Sequence, residues 1–460
     1  MQSNTLPLKE QCVIMSEEED SKKLGELSLK YASSFKGKIH TLPKVPITKL
    51  SDFAIWYTPG IARVSKEIEK DKDTVFTLTG RWNTIAILTD GSRVLGLGNI
   101  GPLASTPVME GKALIFKYLG GVDAIPLPVV AHTKDDLVNI GKAIEPAFGG
   151  INLEDIESPK CFEVLKDLSN NLNIPVWHDD QLGTASASLA AFINATRLTG
   201  RKINETKVVL FGAGAANLAT AKMFIKAGVN AKYMIIIDSK GILNAEREDM
   251  DHIMLTNPEK YKLALETNKE HCTGDINNCI DGADVLISAS KPVPGLIKKK
   301  DIQKMNKEAI VFALANPLPE IWPKDAKEAG AKIVGTGRSD FPNQINNSLI
   351  FPAVFRGALD ARSRKINMEM AIEAAFALAD SIKDKINVDY IIPNMTDHEV
   401  FPMIAARVAM KSVEMGMARR TATYNQFYDE AKSIIEDSRK EFNLLLSNHL
   451  IKGLNEIGGV

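Results

Sequence analysis

The chain has 460 residues, more than one ordinary hydrophobic core organises, so two or three domains are expected. Hydrophobic residues at 45% and charged residues at 25% are the balance of a soluble globular protein. The formal charge of -1 argues against a nucleic-acid footprint and against a polybasic membrane patch, so neither a nucleic acid nor a membrane is an expected partner. Four scattered cysteines, Cys12, Cys161, Cys272 and Cys279, form no CxxC pair and argue against a disulfide framework or a structural zinc site. The start of the chain shows no basic stretch followed by an apolar one, and no apolar run reaches transmembrane length, so the expected location is cytoplasmic.

The first forty residues are polar and partly helical, and an arm over 1–50 is expected. From Trp82 the pattern alternates. TIAILTD predicts a buried strand, GSRVLGLGNIGP a strand and then a glycine-rich loop, VMEGKALIFKYL a helix and GVDAIPLPVV another strand. Strand, helix and strand in that order predict a parallel α/β sheet. IPVWHDD then reads as a short strand, followed by a turn and the Ala/Ser-rich helix GTASASLAAFINAT. KVVLFGAGAANLATAKMFIKAGVNAKYMIIIDSKG is strand, glycine loop, helix and strand, the size of one βαβ unit. Further strands are expected at ADVLISAS, AIVFALANP and AKIVGTG, and amphipathic helices from Asn367 onward. The expected division is an N-terminal α/β domain over 1–190, a Rossmann-like doubly wound parallel sheet over 191–360, and a helical segment over 361–460.

Gly212-Ala213-Gly214-Ala215-Ala216-Asn217 follows the apolar strand VVLF and opens a helix. The first glycine permits a tight turn. The second lets the backbone approach a pyrophosphate, which then rests on the positive helix N-terminus. Asn217 stands where a third glycine is usual. Asp238 ends the next strand, where a carboxylate reaches a ribose hydroxyl. Ser239 and Lys240 follow it, and a lysine there can pair with a 2'-phosphate, which tilts the expected cofactor from NAD towards NADP and leaves both open. The alternative is a glycine turn in a nucleotide-free domain.

Two acidic pairs stand out: Glu154-Asp155 in GGINLEDIESP and Asp179-Asp180 in IPVWHDDQLGTA. Adjacent acids repel unless a cation or hydrogen-bond donors compensate. Oxygen ligands of this kind suit Mg2+ or Mn2+. Asp179-Asp180 as a helix N-cap pair, and Glu154-Asp155 as a solvated loop, remain open alternatives.

Taken together, the chain resembles the malic enzyme family in its shorter bacterial and archaeal style. The matching stretches are Tyr57-Thr58-Pro59-Gly60, TDGSRVLGLGNIGPLASTPVMEGKA from Thr89, INLEDI from Ile151, HDDQLGTA from His178, the dinucleotide loop, ANPLPEI from Ala315 and INNSLIFPA from Ile345. They follow the family's order over roughly residues 50 to 360. The resemblance implies an N-terminal α/β substrate domain, a Rossmann NAD(P)-binding domain, and oxidative decarboxylation of (S)-malate to pyruvate and CO2 with reduction of NADP or NAD. It implies that Tyr57 is the general acid, Lys112 the general base and Asp179 the acid that supports proton transfer. It implies Glu154, Asp155 and Asp180 as ligands of Mg2+ or Mn2+, and Arg93 at a substrate carboxylate. Asn316 and Asn346, with Asn347 beside it, are implied near the nicotinamide and the substrate. A homodimer is also implied. Leu182, in a position that is often polar, and Asn217 depart from the pattern. A hydroxy-acid dehydrogenase without decarboxylation, and a catalytically silent nucleotide-binding regulator, are the alternatives.

Overall fold

The structure, a computed structural model, describes residues 8–94 and 96–457. The opening MQSNTLP, read as lacking a leader, lies outside the described residues. The polar arm is a helix over Leu8–Phe35. No helix among the described residues is long and apolar enough to cross a membrane.

Strands β1 (Thr84–Thr89), β2 (Asp123–Pro128), β3 (Gly150–Leu153) and β4 (Val176–His178) form a parallel sheet in the order β2-β1-β3-β4. Ile85, Ala86, Ile87 and Leu88 are all fully buried. A continuous apolar run is what a strand covered on both faces requires. Parallel neighbours need long crossovers, and helices Gly101–Gly120, Lys134–Ile144 and Lys160–Asn171 supply them. The first of these carries Pro102 in its opening turn and stops at Gly121, whose φ of 62° an L side chain rarely adopts. Thr133 and Asp136 close a reciprocal cap on the second.

Strands β5 (Val208–Phe211), β6 (Met234–Asp238), β7 (Gly241–Ile242), β8 (Val285–Ser288), β9 (Ala309–Ala313) and β10 (Ala331–Thr336) form the second sheet, ordered β10-β9-β8-β5-β6-β7. All its pairs are parallel except β6 with β7. The chain leaves β5 towards β6 on one side and later returns to β8 on the other. That reversal is the topological switch point at which such sheets bind ligands.

The helix Thr184–Thr199 runs continuously through residue 190 and is buried from Ala185 to Thr196. Its small residues let neighbours approach closely. Ser186 donates to the Ala371 carbonyl at 3.2 Å and Asn194 to the Ala379 carbonyl at 2.9 Å, while Phe192 packs on Phe224 with ring centroids 4.7 Å apart. The C-terminal helices return to the first sheet. Phe351 lies 4.5 Å from Phe116, ring to ring, and Ser438 donates to the Lys117 carbonyl at 3.1 Å.

Two expectations differ from what the chain does. The strand expected within GSRVLGLGNIGP is a turn-rich loop holding one isolated bridge, Val94 to Gly98. Gly91 and Gly98, at φ 66° and 80°, curl the backbone out of extended geometry. GINL, which carried no strand expectation, is β3.

Candidate active site

The carboxyl ends of β1, β3 and β4 lie side by side, since Leu88 pairs with Leu153 and Leu153 with His178. Asp90, Glu154 and Asp179 therefore leave one edge of one sheet. The helix Gly101–Gly120 passes over this edge and presents Lys112 from its middle, not from its start.

Lys112 Nζ donates to Glu154 Oε1 at 2.8 Å and to Asp179 Oδ2, and it sits 4.2 Å from the centre of the Phe351 ring. Its side chain is 9% exposed. Burial works to lower its pKa, but the Asp179 and Glu154 carboxylates outweigh burial and hold it above the ordinary lysine value. Trp177 Nε1 donates to Asp179 Oδ1 at 2.9 Å, and Asn152 Nδ2 donates to Glu154 Oε2 at 2.8 Å. Each carboxylate that holds the lysine is thus oriented by the residue two places before it, on the same face of its strand. A Cβ at Gly183 would lie 2.0 Å from Asp179 Oδ1 and 3.0 Å from Asn347 Cβ, so the Asp179–Gly183 turn needs a glycine there.

Glu154, Asp155 and Asp180 each offer an oxygen, and these atoms all lie within 4.8 Å of one another. Asp155 adopts φ 53°, an uncommon backbone for a residue with a Cβ, and its N–H donates to Asp180 Oδ2 at 2.9 Å. Burial pushes the Glu154 pKa well above the usual carboxylate range; Lys112 opposes this, and Asp180, Asp179 and Asp155 add to it. Burial also raises Asp179 and Asp180. An all-oxygen donor set gathered this closely fits a hard divalent cation, so the residues present pass that test. His178, fully buried, has its imidazole pushed down to about 3 by burial and stays neutral at ordinary pH.

The other expected residues occupy varied positions. Arg93 is exposed, and its backbone N–H donates to the Asp155 carbonyl at 3.0 Å, which ties its loop to the Glu154–Asp155 loop. Tyr57 is 71% exposed at the end of the short helix Asp52–Trp56, and no hydrogen bond among the described residues joins it to Lys112. Asn347 stands beside Gly183, whereas the Asn346 side chain accepts from the Ser348 N–H at 2.9 Å and caps a turn. Asn316 faces the first sheet's loop: a Cβ at Gly96 would lie 3.0 Å from its carbonyl oxygen.

At the switch point Gly212 has φ 103°, and a Cβ there would meet the Ala289 carbonyl oxygen at 2.5 Å. Open space lies beside Gly214, at the N-terminus of the helix Ala215–Lys226 that also presents Ala216. That cradle fits a pyrophosphate. Asn217, in the third glycine's place, pins the loop: its buried amide donates to the Phe211 and Gly212 carbonyls at 3.1 and 3.0 Å. Asp238 ends β6 as expected, but Arg247 and Lys260 already grip it, while exposed Ser239 and Lys240 follow it and Lys240 pairs with Asp249 at 3.0 Å.

Sequence reasoning missed Trp177, Asn152, Phe351, Arg247 and Lys260. The first two were accessible through strand alternation; Phe351 comes from a distant segment, and Arg247 and Lys260, 9 and 22 residues from Asp238, carry no local signal.

A nucleotide cradle at the switch point of one sheet, together with an acidic pocket and a buried lysine at the edge of another, is the build of a nicotinamide-dependent dehydrogenase. The family model for the malic enzyme N-terminal domain matches residues 36–136, and that for the malic enzyme NAD-binding domain matches residues 182–416. A bifunctional malic/malolactic enzyme of Bacillus subtilis (strain 168) is 44% identical over 399 residues, 86% of this chain and 95% of the relative. An NAD-dependent malic enzyme of Geobacillus stearothermophilus is 45% identical over 385 residues, 84% of this chain and 78% of the relative. The crystal structure of Entamoeba histolytica malic enzyme superposes with a TM-score of 0.93 at 40% identity, covering 99% of this chain and 95% of that one. The chain belongs to the malic enzyme family.

Proposed function

We propose that the protein oxidises (S)-malate and decarboxylates the product to pyruvate and CO2, with NADP or NAD as oxidant and Mg2+ or Mn2+ as metal. The observation that carries this is the contact of Lys112 with Asp179 and with Glu154, a member of the Glu154–Asp155–Asp180 oxygen set. When bound, the cation supplies Lewis acidity and the oxidised nicotinamide supplies a hydride acceptor.

The chain's own residues then divide the work. Glu154, Asp155 and Asp180 hold the cation. Lys112 takes the proton of the C2 hydroxyl, and Asp179 holds its Nζ in place through the proton's departure. Arg93, on a loop tied to Asp155, binds a malate carboxylate, and Asn347 and Asn316 line the space between substrate and nicotinamide. Asn346 supports the turn that carries Asn347. Gly212, Gly214, Ala215, Ala216 and Asn217 seat the pyrophosphate.

Loss of CO2 leaves a three-carbon enol, and Tyr57 delivers the proton to its C3. Its exposure on its own chain supports delivery into the site of a neighbouring copy, in a homodimer. Phe53, Ile55 and Trp56 beside it, at 50%, 60% and 44% exposure, give that dimer an apolar contact. The cytoplasm is the compartment, a reading supported by the free thiols Cys161, Cys272 and Cys279.

An initial-rate assay with malate and Mn2+, following nicotinamide reduction and CO2 together, tests the reading. Stoichiometric CO2 is expected; reduction without CO2 makes the enzyme a plain dehydrogenase. Lys112→Ala is expected to lose at least about a hundredfold in turnover. Mixing inactive Lys112→Ala with inactive Tyr57→Phe protein tests sharing: regained activity supports delivery between subunits, and none refutes it.

A further inference from the structure

A cavity of about 470 Å³ opens at the amino end of the first sheet, opposite the edge that Lys112 overlooks. Trp82, two residues before β1, lines it together with Phe76, Leu359 and Ile434. Each aromatic wall carries two cations. Arg81 and Arg419 stand 4.8 and 5.5 Å from the centre of the Phe76 ring, and Lys44 and Arg356 stand 5.0 and 5.4 Å from the centre of the Trp82 ring.

The two carboxylates of the lining are already answered. Asp360 Oδ1 accepts from Arg356 Nε and Nη2 at 3.0 and 2.6 Å, and Glu430 accepts from Arg420 Nη1 and Nη2 at 2.7 and 2.6 Å. Arg81 Nε and Arg419 Nη2 donate instead to the main-chain carbonyls of Phe148 and Asn173, at 2.8 and 2.7 Å, which leaves their charges standing. Burial lowers the Arg419 pKa, and Arg364 and Arg81 lower it further against Asp73 and Glu145, which marks cations crowded together. Arg362 is the last cation of the lining. It is half-buried, and among the described residues its guanidinium has neither a hydrogen bond nor an ion pair. Its φ of 46° is the left-handed conformation in which a glycine usually ends a helix. An unpaired fork beside apolar walls, in a positive surround, suits an acidic group joined to an apolar body.

We propose that this cavity is an effector site for a small organic anion, with the acidic group on Arg362 and the apolar body against Leu359 and Ile434. The helix Phe351–Asp360 links it to the catalytic lysine. Ten residues of helix span about 15 Å. At one end Leu359 and Asp360 line the cavity; at the other the Phe351 ring lies 4.2 Å from Lys112 Nζ. Between them Arg356 fastens the helix to Asn83 Oδ1 and to the Trp82 ring. A ligand that displaces this end of a closely packed helix displaces Phe351 with it.

The test is calorimetric titration of the full chain with benzoate, phenyl phosphate and inorganic phosphate. Benzoate or phenyl phosphate is expected to bind with a Kd of about a millimolar or tighter, and the tighter of the two identifies the acidic group as carboxylate or phosphate. Inorganic phosphate, lacking an apolar body, is expected to bind at least about tenfold more weakly. Arg362→Gln is expected to weaken the organic anion about tenfold and Arg362→Lys to recover part of the loss. Ser433→Phe fills the cavity from the helix Tyr424–Ser447 without touching the arginine, and is expected to abolish binding. None of these variants is expected to change basal malate turnover. In that assay the bound anion is expected to shift KM or kcat about fivefold in the intact protein and not in Arg362→Gln. Failure of both organic anions to bind overturns the proposal. Binding that survives both Arg362→Gln and Ser433→Phe places the anion elsewhere and also overturns it. Binding at the cavity with unaltered turnover denies the effector role. The titrations need no malate turnover, so they decide the binding site even where that activity fails.

Discussion

Lys112 is an unusual residue to cast as a base, because its two carboxylate partners keep it protonated. The base must lose its proton before it works, so the acid limb of kcat/KM rises with pH through its pKa. Asp179→Asn removes one negative charge from the ammonium while leaving an oxygen for Trp177 to donate to. The lysine pKa then falls, and the acid limb moves to lower pH. A pH–rate profile checks this; a limb that stays put or moves up refutes the assigned partnership. The metal residues follow separate logic. Asp180→Asn keeps the shape, discards a charge and is expected to weaken Mn2+ affinity at least about tenfold in a direct titration. An unchanged titration would place the cation elsewhere. At this scale the sequence was partly legible. The Asp179–Asp180 pair announced itself by standing between a strand and a helix. Glu154–Asp155 stood out as an acidic pair, but nothing in GGINLEDIESP signals that it follows a four-residue strand and is buried.

At the scale of elements, the site is held together by a contact that belongs to no motif. Lys160, the first residue of the helix Lys160–Asn171, pairs with Asp90 after β1 at 2.6 Å and with Glu157 after β3 at 3.2 Å. Asp90 also accepts from Ser92 Oγ at 2.6 Å, and Ser92 Oγ accepts from the Glu157 N–H at 2.9 Å. With Arg93 bonded to Asp155 through the backbone, these contacts fasten the Arg93 loop to the Glu154–Asp155 loop. Lys160 is a positioning residue: it is 14% exposed, beside a carboxylate at 2%. Lys160→Met strands Asp90 as a buried charge. KM for malate and Kd for Mn2+ are expected to rise together by about tenfold, with kcat falling less, and Lys160→Arg to restore both. A variant that loses only thermal stability, with both constants unchanged, denies the coupling. The elements themselves were largely legible, because long apolar runs such as KVVLF and YMIIID bound by glycine have few alternatives. The loop over residues 91–100 misled because the apolar residues in RVLGL look strand-like, while the decisive information is the positive φ of Gly91 and Gly98.

Across the whole molecule, loops that leave the two sheets come together, and one glycine marks the meeting. A Cβ at Gly96 would lie 3.0 Å from the Asn316 oxygen, 3.1 Å from Pro292 Cγ and 3.3 Å from Pro317 Cδ. The loop that carries Arg93 therefore lies against Pro292 and Asn316–Pro317, the segments that the proposed function sets beside the nicotinamide. That proximity was not legible in the sequence. GSRVLGLGNIGP reads as a strand and a glycine-rich loop, and AIVFALANP as a strand, with nothing to say that they touch across so long a stretch of chain. Gly96→Val puts branched bulk into this contact while leaving every chemical group in place. Gly96 is exposed, so folding should barely register the change, with Tm moving by no more than about 2 °C. Catalysis should register it strongly, since displacement by about an ångström at a reacting pair costs up to about a hundredfold. KM for malate and for the dinucleotide are expected to rise in parallel, because both ligands bind between the halves that the valine holds apart. A rise in one constant alone would mean that the contact serves a single subsite, and unchanged constants would mean that closure does not pass through Gly96 at all.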